Sequence, residues 1–599
     1  MHQSPPSSVP SAAAFYATRR EACQGEIRHR RRQHLLLGYL RLLWAAAMIV
    51  IAWFALFRAL HWEWLLLPWA AFIVTAHFHS QVLAAGTRAE LTVAWCEHGL
   101  ARVEDRWPGV HPRRTPVDIS RSLYAVDLDL FGPAGLFELL CDARTSIGED
   151  TLASWLLAPA SGDEILARQA AISDLRDRTA LREALAGTPG PSRLELDREA
   201  LVNWAESPQD AIPAWIGWTA PLLALLTLAS LAWWIRAHSP IPLVVMLALD
   251  ARLTYWLRRK LNPIFTDAKQ ASRRLGLLAE LFGRLERESF NAPRLQQAQR
   301  PLREQSFCAS AALRRMARLT RADVLRNGLL RLLDIPLLYS VQLAVLIQSW
   351  RKAHGHALAA WLTALGDLEA LLSLSAYHFE HPADGFPELV EGQLVFAAEA
   401  LGHPLLPDAT CVRNSLTLDA TARLLLVSGS NMSGKSTLLR SVGVSTVMAM
   451  AGAPVRAHGL RLSPLHVGAS IQINDSLQSG RSRFYAEILR LRAICDLARE
   501  HPPVLFLLDE LLAGTNSRDR LAGATGLIRE LLALGAIGLL STHDLALTAM
   551  TGPGTEHIRN VHFEDRISGD RLHFDYILRE GVVTRSNGLD LMRLIGLDV

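Results

Sequence analysis

The stretch that most constrains this chain is Leu424-Leu425-Leu426-Val427-Ser428 followed by Gly429, Ser430, Asn431, Met432, Ser433, Gly434, Lys435, Ser436 and Thr437. An apolar run breaks into a glycine loop, and the helix-compatible Leu438 to Val442 follows. The loop fits G-x-x-x-x-G-K-[ST] in full, in the strand-loop-helix context that such a loop requires. Two glycines let backbone N–H groups curl around phosphates, Lys435 reaches the terminal phosphates, Ser436 ligates Mg2+, and the helix start adds its positive dipole end. A glycine turn in an unrelated fold is the plainer alternative. Only four lysines stand against 58 arginines, so a lysine here suggests a task that arginine does not fill.

Leu505 to Leu508 form a second apolar run, ending in Asp509-Glu510, 74 residues beyond Lys435. Asp509 is expected in the Mg2+ shell and Glu510 as the group that orients and polarises the attacking water. Ile537 to Leu540 predicts another buried strand, followed by Ser541-Thr542-His543-Asp544. His543 is a candidate γ-phosphate sensor, although a lone histidine is commonly structural. Between these runs, Asn474 to Glu487 is a polar loop opening a helix. Its Ser479, Gly480, Arg481 and Ser482 are what a partner subunit offers a phosphate across an interface, so two chains would sandwich two nucleotides.

At 599 residues the chain exceeds one core. A mean hydropathy of +0.16 is high for a wholly soluble protein. Leu35 to Phe57 is long enough to span a bilayer, and Trp62 to Phe78 is near the lower limit. Trp44, Trp53, Trp62, Trp64 and Trp69 suit a membrane setting. A buried helical hairpin of a soluble domain is the alternative, and the second apolar stretch argues against a cleaved signal peptide. Ile212 to Ile235 is a third candidate span. The fourth, Ile241 to Leu257, carries Asp250 and Arg252, which in lipid need a partner or an interfacial depth. Arginines before the first span, and Arg258, Arg259 and Lys260 after the fourth, put the ends of both hairpins in the cytoplasm.

Net charge is +4 and the isoelectric point about 8.8, which permits nucleic-acid or anionic-lipid contact without demonstrating either. Cys23, Cys96, Cys141, Cys308, Cys411 and Cys495 form no C-x-x-C pair and read as reduced, with no zinc site. Phe265 to Arg326 is arginine-rich with Leu275, Leu278, Leu281 and Leu285 on one helical face; its charges read as a solvated face or as a nucleic-acid track. Asn327 to Trp350, interrupted by Arg331 and Asp334, reads as buried core, and Trp361 to Tyr377 as an amphipathic helix.

The run Gly429 to Thr437, the segment Ser479-Gly480-Arg481-Ser482-x-Phe484, Asp509-Glu510 followed by Gly514-Thr515-Asn516-Ser517, and Thr542-His543 resemble, in this order, the ATPase domain of the MutS family of DNA mismatch-repair proteins. Asp129 to Leu140, Thr145-x-x-Gly148 and Arg168-Gln169 are similar to the opening of that family's helical core and lever. His403-Pro404-Leu405 and Asn414 resemble the start of its nucleotide domain, and Phe574-Asp575-Tyr576 to Gly588 its C-terminal dimer contact. The resemblance implies ATP held by Gly429 to Thr437, Mg2+ held by Ser436 and Asp509, water activation by Glu510 with His543, Ser479 to Ser482 acting in trans in a homodimer, and DNA as a partner. The mismatch-recognition and connector domains have no counterpart before Leu123. Cys411 stands where the family often places an aromatic residue against adenine, which leaves ATP and GTP both open.

The expected fold is a C-terminal α/β P-loop ATPase domain of ABC type, preceded by an all-α core and lever and two transmembrane helical hairpins. The expected division is a disordered basic segment 1–34, a first hairpin 35–82, a linker 83–121, core 122–211, a second hairpin 212–260, lever and core 261–400, and ATPase 401–599. This describes a multi-pass inner-membrane protein with a cytoplasmic ATPase. Lipid is a partner, and no small-molecule substrate other than nucleotide is expected. An ABC-type half-transporter, or a membrane-remodelling ATPase without DNA binding, is the competing reading.

Overall fold

The structure is a computed structural model that describes residues 11–57, 61–110, 119–189, 194–207, 212–303, 308–325, 334–430, 432–472, 483–512, 514–549, 556–568 and 571–583. An antiparallel pair opens the chain, α1 (Ala12–Phe57) and α2 (Leu66–Val103). Shorter helices follow: α3 (Leu136–Leu140), α4 (Ser146–Leu157), α5 (Gly162–Leu175), α6 (Thr179–Ala186) and α7 (Arg198–Glu206). A second pair, α8 (Ile216–Ala237) and α9 (Ile241–Leu285), leads through α10 (Pro293–Arg303), α11 (Ala309–Leu325) and α12 (Asp334–Leu337) into α13 (Tyr339–Glu380). Starts are set by side-chain caps: Thr145, Ser161 and Asp197 accept N–H bonds from the first turns of α4, α5 and α7.

The first pair differs from expectation at its base. Residues 12–34 are helix, not a disordered segment, because that half of α1 docks on the helical core. Tyr16 and Cys23 are buried, and Arg19 pairs with Glu183 at 2.6 Å. The expected linker is likewise helical to Val103, with Trp95, Cys96 and Arg102 buried; Pro112 and Pro116 lie outside the described residues. Beyond the base the pair changes character, and Leu42, Ile49, Trp53, Leu56, Trp62, Trp64, Leu67 and Trp69 are all exposed. Inside this apolar part, His79 is bonded to His34 at 2.7 Å and to Arg41 at 3.1 Å.

Among the described residues, α1, α8 and α13 are long and apolar enough to cross a membrane. Their surroundings separate them. None of the most apolar window of α1 is buried and 28% of that of α8, against 78% for α13. Val341, Leu343, Ala344, Ile347 and Trp350 are buried in α13, in keeping with the core expectation for that segment; residues 326–333 lie outside the described set. The second and fourth apolar stretches fall short of the same length-and-hydropathy measure. Asp250 is buried between α8 and α9 and accepts the Thr227 hydroxyl at 2.7 Å, which supplies a partner for it.

Helix α13 is the axis of the helical core, with α4, α5, α7, α10 and α11 packed around it. Trp361 to Tyr377 is thus not an amphipathic surface helix: it belongs to a 42-residue helix buried on nearly every side of that stretch. Leu275, Leu278, Leu281 and Leu285 are buried as their spacing predicts. Two arginines of this stretch are engaged within the chain: Arg294 pairs with Glu164 at 3.0 Å and Asp367 at 2.9 Å, and Arg303 donates to the Glu286 carbonyl at 2.8 Å.

The C-terminal part holds β1 (Glu388–Leu389), β2 (Phe396–Leu401), β3 (Asn414–Leu418), β4 (Leu424–Ser428), α14 (Lys435–Ala451), β5 (Gly459–Leu462), β6 (His466–Ser470), α15 (Arg483–Glu500), β7 (Val504–Asp509), α16 (Ser517–Ala533), β8 (Ile537–Thr542), α17 (Leu545–Thr548), β9 (Ile558–Ser568) and β10 (Arg571–Glu580). It begins before the expected residue 401, since β1 and β2 join the small sheet β1-β5-β2-β3. The main sheet has the order β10-β9-β4-β8-β7-β6, parallel except for β10. Both faces of its central strands are covered, so β4, β7 and β8 are largely continuous apolar runs. Leu425 and Val427 face the helical core through α14, while Leu424 and Leu426 face α15 and α16.

Glu369 of α13 joins the core to α4. Its carboxylate accepts the Thr145 hydroxyl at 2.5 Å and the Thr145 and Arg144 amides at 3.3 Å each. Burial pushes its pKa up to about 7, against the opposing pull of those donors. The folded form holds this proton more tightly than the unfolded chain does. Its contribution to stability is therefore complete below the ordinary glutamate range and is lost as pH rises through about 7. Glu369→Gln, which does not ionise, is expected to flatten the fall in melting temperature between about pH 5 and about pH 8; parallel wild-type and variant profiles would refute this.

Candidate functional site

Parallel pairing brings the C-terminal ends of β4, β8 and β7 to one edge, the usual location for a ligand in such sheets. Ser428 lies beside Thr542, and Asp509 beside Ser541. The glycine loop leaves β4 at this edge and turns into α14. Gly434 has φ +102°, and a Cβ there would stand 3.1 Å from the Tyr576 ring, so both the backbone and the space call for glycine. Lys435 is buried and donates to the Gly429 and Ser430 carbonyls, each at 2.8 Å. Burial lowers its pKa, opposed by the negative field of Glu510 and Asp509.

Ser436 donates its hydroxyl to Asp509 Oδ2 at 2.6 Å. These two hard oxygen donors converge where the sequence places Mg2+, and an ion that keeps several waters and takes one carboxylate fits them. The other Asp509 oxygen accepts the Ser541 hydroxyl. Glu510 follows with φ +48°, its N–H donating to the Ser541 carbonyl at 3.2 Å. A glutamate in the left-handed region is strained and needs neighbours to hold it. His543 Nδ1 stands 3.5 Å from Glu510 Oε1, on a half-exposed ring.

A cavity of about 750 Å3 opens over these groups. Gly434, Lys435, Ser436, Thr437, Asp509 and Glu510 form its polar end, and Leu401, Leu406, Val412 and Tyr576 an apolar end. The structure thus gathers Gly429, Ser430, Met432, Ser433, Gly434, Lys435, Ser436, Thr437, Asp509, Glu510 and His543. Asn431, and Ser479, Gly480, Arg481 and Ser482, lie outside the described residues. Thr410 and Val412, on either side of Cys411, line the cavity, and Tyr576 supplies an aromatic ring from the other end of the domain. Tyr576 has φ +55° at the irregular register of β10, and Asn414 pins that irregularity by donating to its carbonyl at 3.0 Å and accepting the Leu578 N–H at 2.8 Å. The expected dimer-contact segment therefore folds, in its part up to Glu580, against its own chain's cavity.

Sequence reasoning gave no role to Ser541, which bonds the Asp509 carboxylate and the backbone N–H of Glu510. Its signal was its place at the end of an apolar run, in register with the end of another. It also passed over Tyr576 as a wall of the cavity.

Strand order, glycine loop, buried lysine and convergent serine and aspartate define a P-loop nucleotide-binding domain. Residues 425–598 match the family model described as MutS domain V. The protein "Endonuclease MutS2" of Thermus thermophilus is 37% identical over 196 residues, which cover 33% of this chain and 25% of that relative. The family match lies in the C-terminal third, and the stretch shared with that relative spans about a quarter of the relative's length.

Removing the hydroxyl that orients Asp509 should cost metal more than nucleotide. Ser541→Ala is expected to weaken Mg2+-dependent ATP binding by about 10–100-fold while leaving Mg2+-free binding unaltered. Equilibrium binding with and without Mg2+ checks this, and equal losses in both conditions would contradict it.

Proposed function

We propose that the chain is a membrane-anchored MutS-like ATPase that binds and hydrolyses Mg2+·ATP and passes the resulting motion to its helical hairpins. The observation that carries this reading is the convergence of Lys435, Ser436, Asp509 and Glu510 on one cavity. Lys435 would neutralise charge on the terminal phosphates. Ser436 and Asp509 would hold Mg2+, which neutralises the charge that develops on the transferring phosphoryl group. Glu510 would orient the attacking water and take its proton, with His543 at its side. The Tyr576 face and the apolar end of the cavity would take the base. Ser479 to Ser482 of a second copy would close each site, giving a homodimer with two composite sites.

The anchoring part of the reading is supported by the first helix pair. Its exposed apolar length, from Leu35 to Phe57, covers about 34 Å, close to a bilayer's hydrocarbon thickness. Arg28, Arg30, Arg31 and Arg32 precede it. A cavity of about 600 Å3 marks the change, lined by Arg30, Gln33 and Gln81 and by Leu36, Leu37 and Phe78. On this reading the hairpin tips cross an inner membrane and the ATPase stays in the cytoplasm.

DNA is the partner suggested by the MutS likeness. A second reading, a membrane-remodelling ATPase that does not bind DNA, is favoured by the engagement of Arg294 and Arg303 with partners inside the chain. One experiment addresses both. ATP turnover by the detergent-extracted protein is measured alone, with plain, mismatched and branched duplexes, and with anionic liposomes. Turnover is expected, with Glu510→Gln lowering kcat by about 100-fold or more; a wild type that binds but does not turn over ATP would end the hydrolase reading. Stimulation by DNA that weakens steeply with salt supports the first reading, and stimulation by liposomes alone supports the second. Membrane fractions should retain the protein after alkaline extraction, and release into the soluble fraction would remove the anchoring claim.

A further inference from the structure

The turn that carries Glu510 is held from outside the phosphate loop. Past Asp509 the chain adopts positive φ twice, +48° at Glu510 and +55° at Leu512. Side chains in this region persist only where neighbours over-determine the backbone. One hold is Ser541, on Glu510 itself. The other comes from α15, where Glu487 accepts the Leu512 N–H at 2.6 Å. Glu487 is only 4% exposed and lies on the cavity wall together with Glu510. A buried carboxylate at the nucleotide cavity thus grips the backbone two residues beyond the group that would activate water.

The helix that bears Glu487 is fixed in turn by the helical core. Three residues on, Arg490 donates to Asp127 Oδ2 at 3.2 Å. The other oxygen of Asp127 accepts the Ile471 and Gln472 amides, each at 2.7 Å. Asp127 is buried, and burial raises its pKa against the pull of those donors. Its neighbours reach the phosphate-loop helix: Asp129 bonds Arg440 at 2.8 Å, and Leu128 packs where a Cβ on Gly443 would stand 2.6 Å away. One short segment of the core therefore touches α14 and α15 at once. Any shift of α15 relative to that segment moves the acceptor under Leu512.

We infer that Glu487 is a positioning residue for Glu510, and that α15 makes the placement of the water-activating carboxylate depend on the core segment around Asp127. The inference rests on the reading of the chain as an ATP hydrolase. Without its acceptor the Leu512 turn relaxes and the Glu510 carboxylate leaves the line of attack, while phosphate, metal and base contacts stay in place. A displacement of about 1 Å at a reacting group is enough to lower a rate about 100-fold.

The test is steady-state hydrolysis and equilibrium Mg2+·ATP binding by the detergent-extracted full chain. Glu487→Ala is expected to lower kcat by about 10–100-fold, with KM and Kd kept within about twofold. Glu487→Gln, which keeps an acceptor oxygen, should recover most of that loss. In a Glu510→Gln background Glu487→Ala should add nothing, since both act through one group. Equal defects in the Ala and Gln variants, a loss confined to KM, or a full further drop in the Glu510→Gln background would each overturn the inference. Should Glu487→Ala fail to fold, Arg490→Gln is used, with a smaller loss in kcat and unchanged KM expected; an unchanged kcat overturns the link to the core. A wild type without turnover overturns the parent reading as well, whereas Glu510-dependent turnover indifferent to Glu487 overturns this inference alone.

Discussion

One apolar core runs from α13 through α14 to the inner face of the main sheet. Leu358, Leu365, Leu371 and Leu374 of the long helix belong to the same buried cluster as Leu438, Val442 and Met448 of the phosphate-loop helix and Leu425, Leu507 and Leu539 of the strands. Interiors of this density transmit displacement because they do not compress. Among the described residues, the nucleotide domain is thus packed continuously against the helices that precede it. Arg168 adds a polar tie at the far end of α14, donating to the Ala451 carbonyl at 3.3 Å while its guanidinium lies 3.8 Å over the Trp155 ring.

A second set of ties is electrostatic and lies where α13 ends. Arg102 of α2 donates to both oxygens of Glu380, at 2.6 and 2.7 Å, and to Asp142 at 3.4 Å, and Tyr16 of α1 donates to the same glutamate at 2.8 Å. Burial and the charge of Glu380 push the Tyr16 phenol pKa well up, so it remains a donor. Buried pairs of this kind contribute little net stability, but removing one partner strands the other charge. Their consequence is geometric: the base of the first helix pair is fixed to the last turn of α13, a few residues before β1.

The nucleotide site was legible because its chemistry is local. A phosphate loop is contiguous, and Asp509-Glu510 announces itself as two carboxylates after four apolar residues. What escaped was set by pairing between distant strands or helices. Ser541 gains its role only from register with Asp509, and Tyr576 from a break in the pairing of β10 with β9. Arginine and proline content made residues 1–34 and 83–121 look unstructured, whereas Tyr16, Cys23, Trp95 and Arg102 are buried partners of a core that the local sequence does not display. Trp361 to Tyr377 showed a leucine stripe at helical spacing, and nothing in that stripe revealed that Ala370, Ser373 and Ser375 on the other sides are buried as well.

The unbroken length of α1 carries a mechanical corollary. From Tyr16, where it is bolted to the core, to Phe57 at its tip the helix extends about 62 Å without interruption. A rigid arm of that length turns a tilt of about 5° at the base into a sweep of about 5 Å at the tip. The pairing of α1 with α2 stiffens the arm, and α9 continues from the second hairpin into the core in the same manner. Small angular changes around Glu380 would thus appear, at the far end of the first hairpin, as displacements the size of a helical turn.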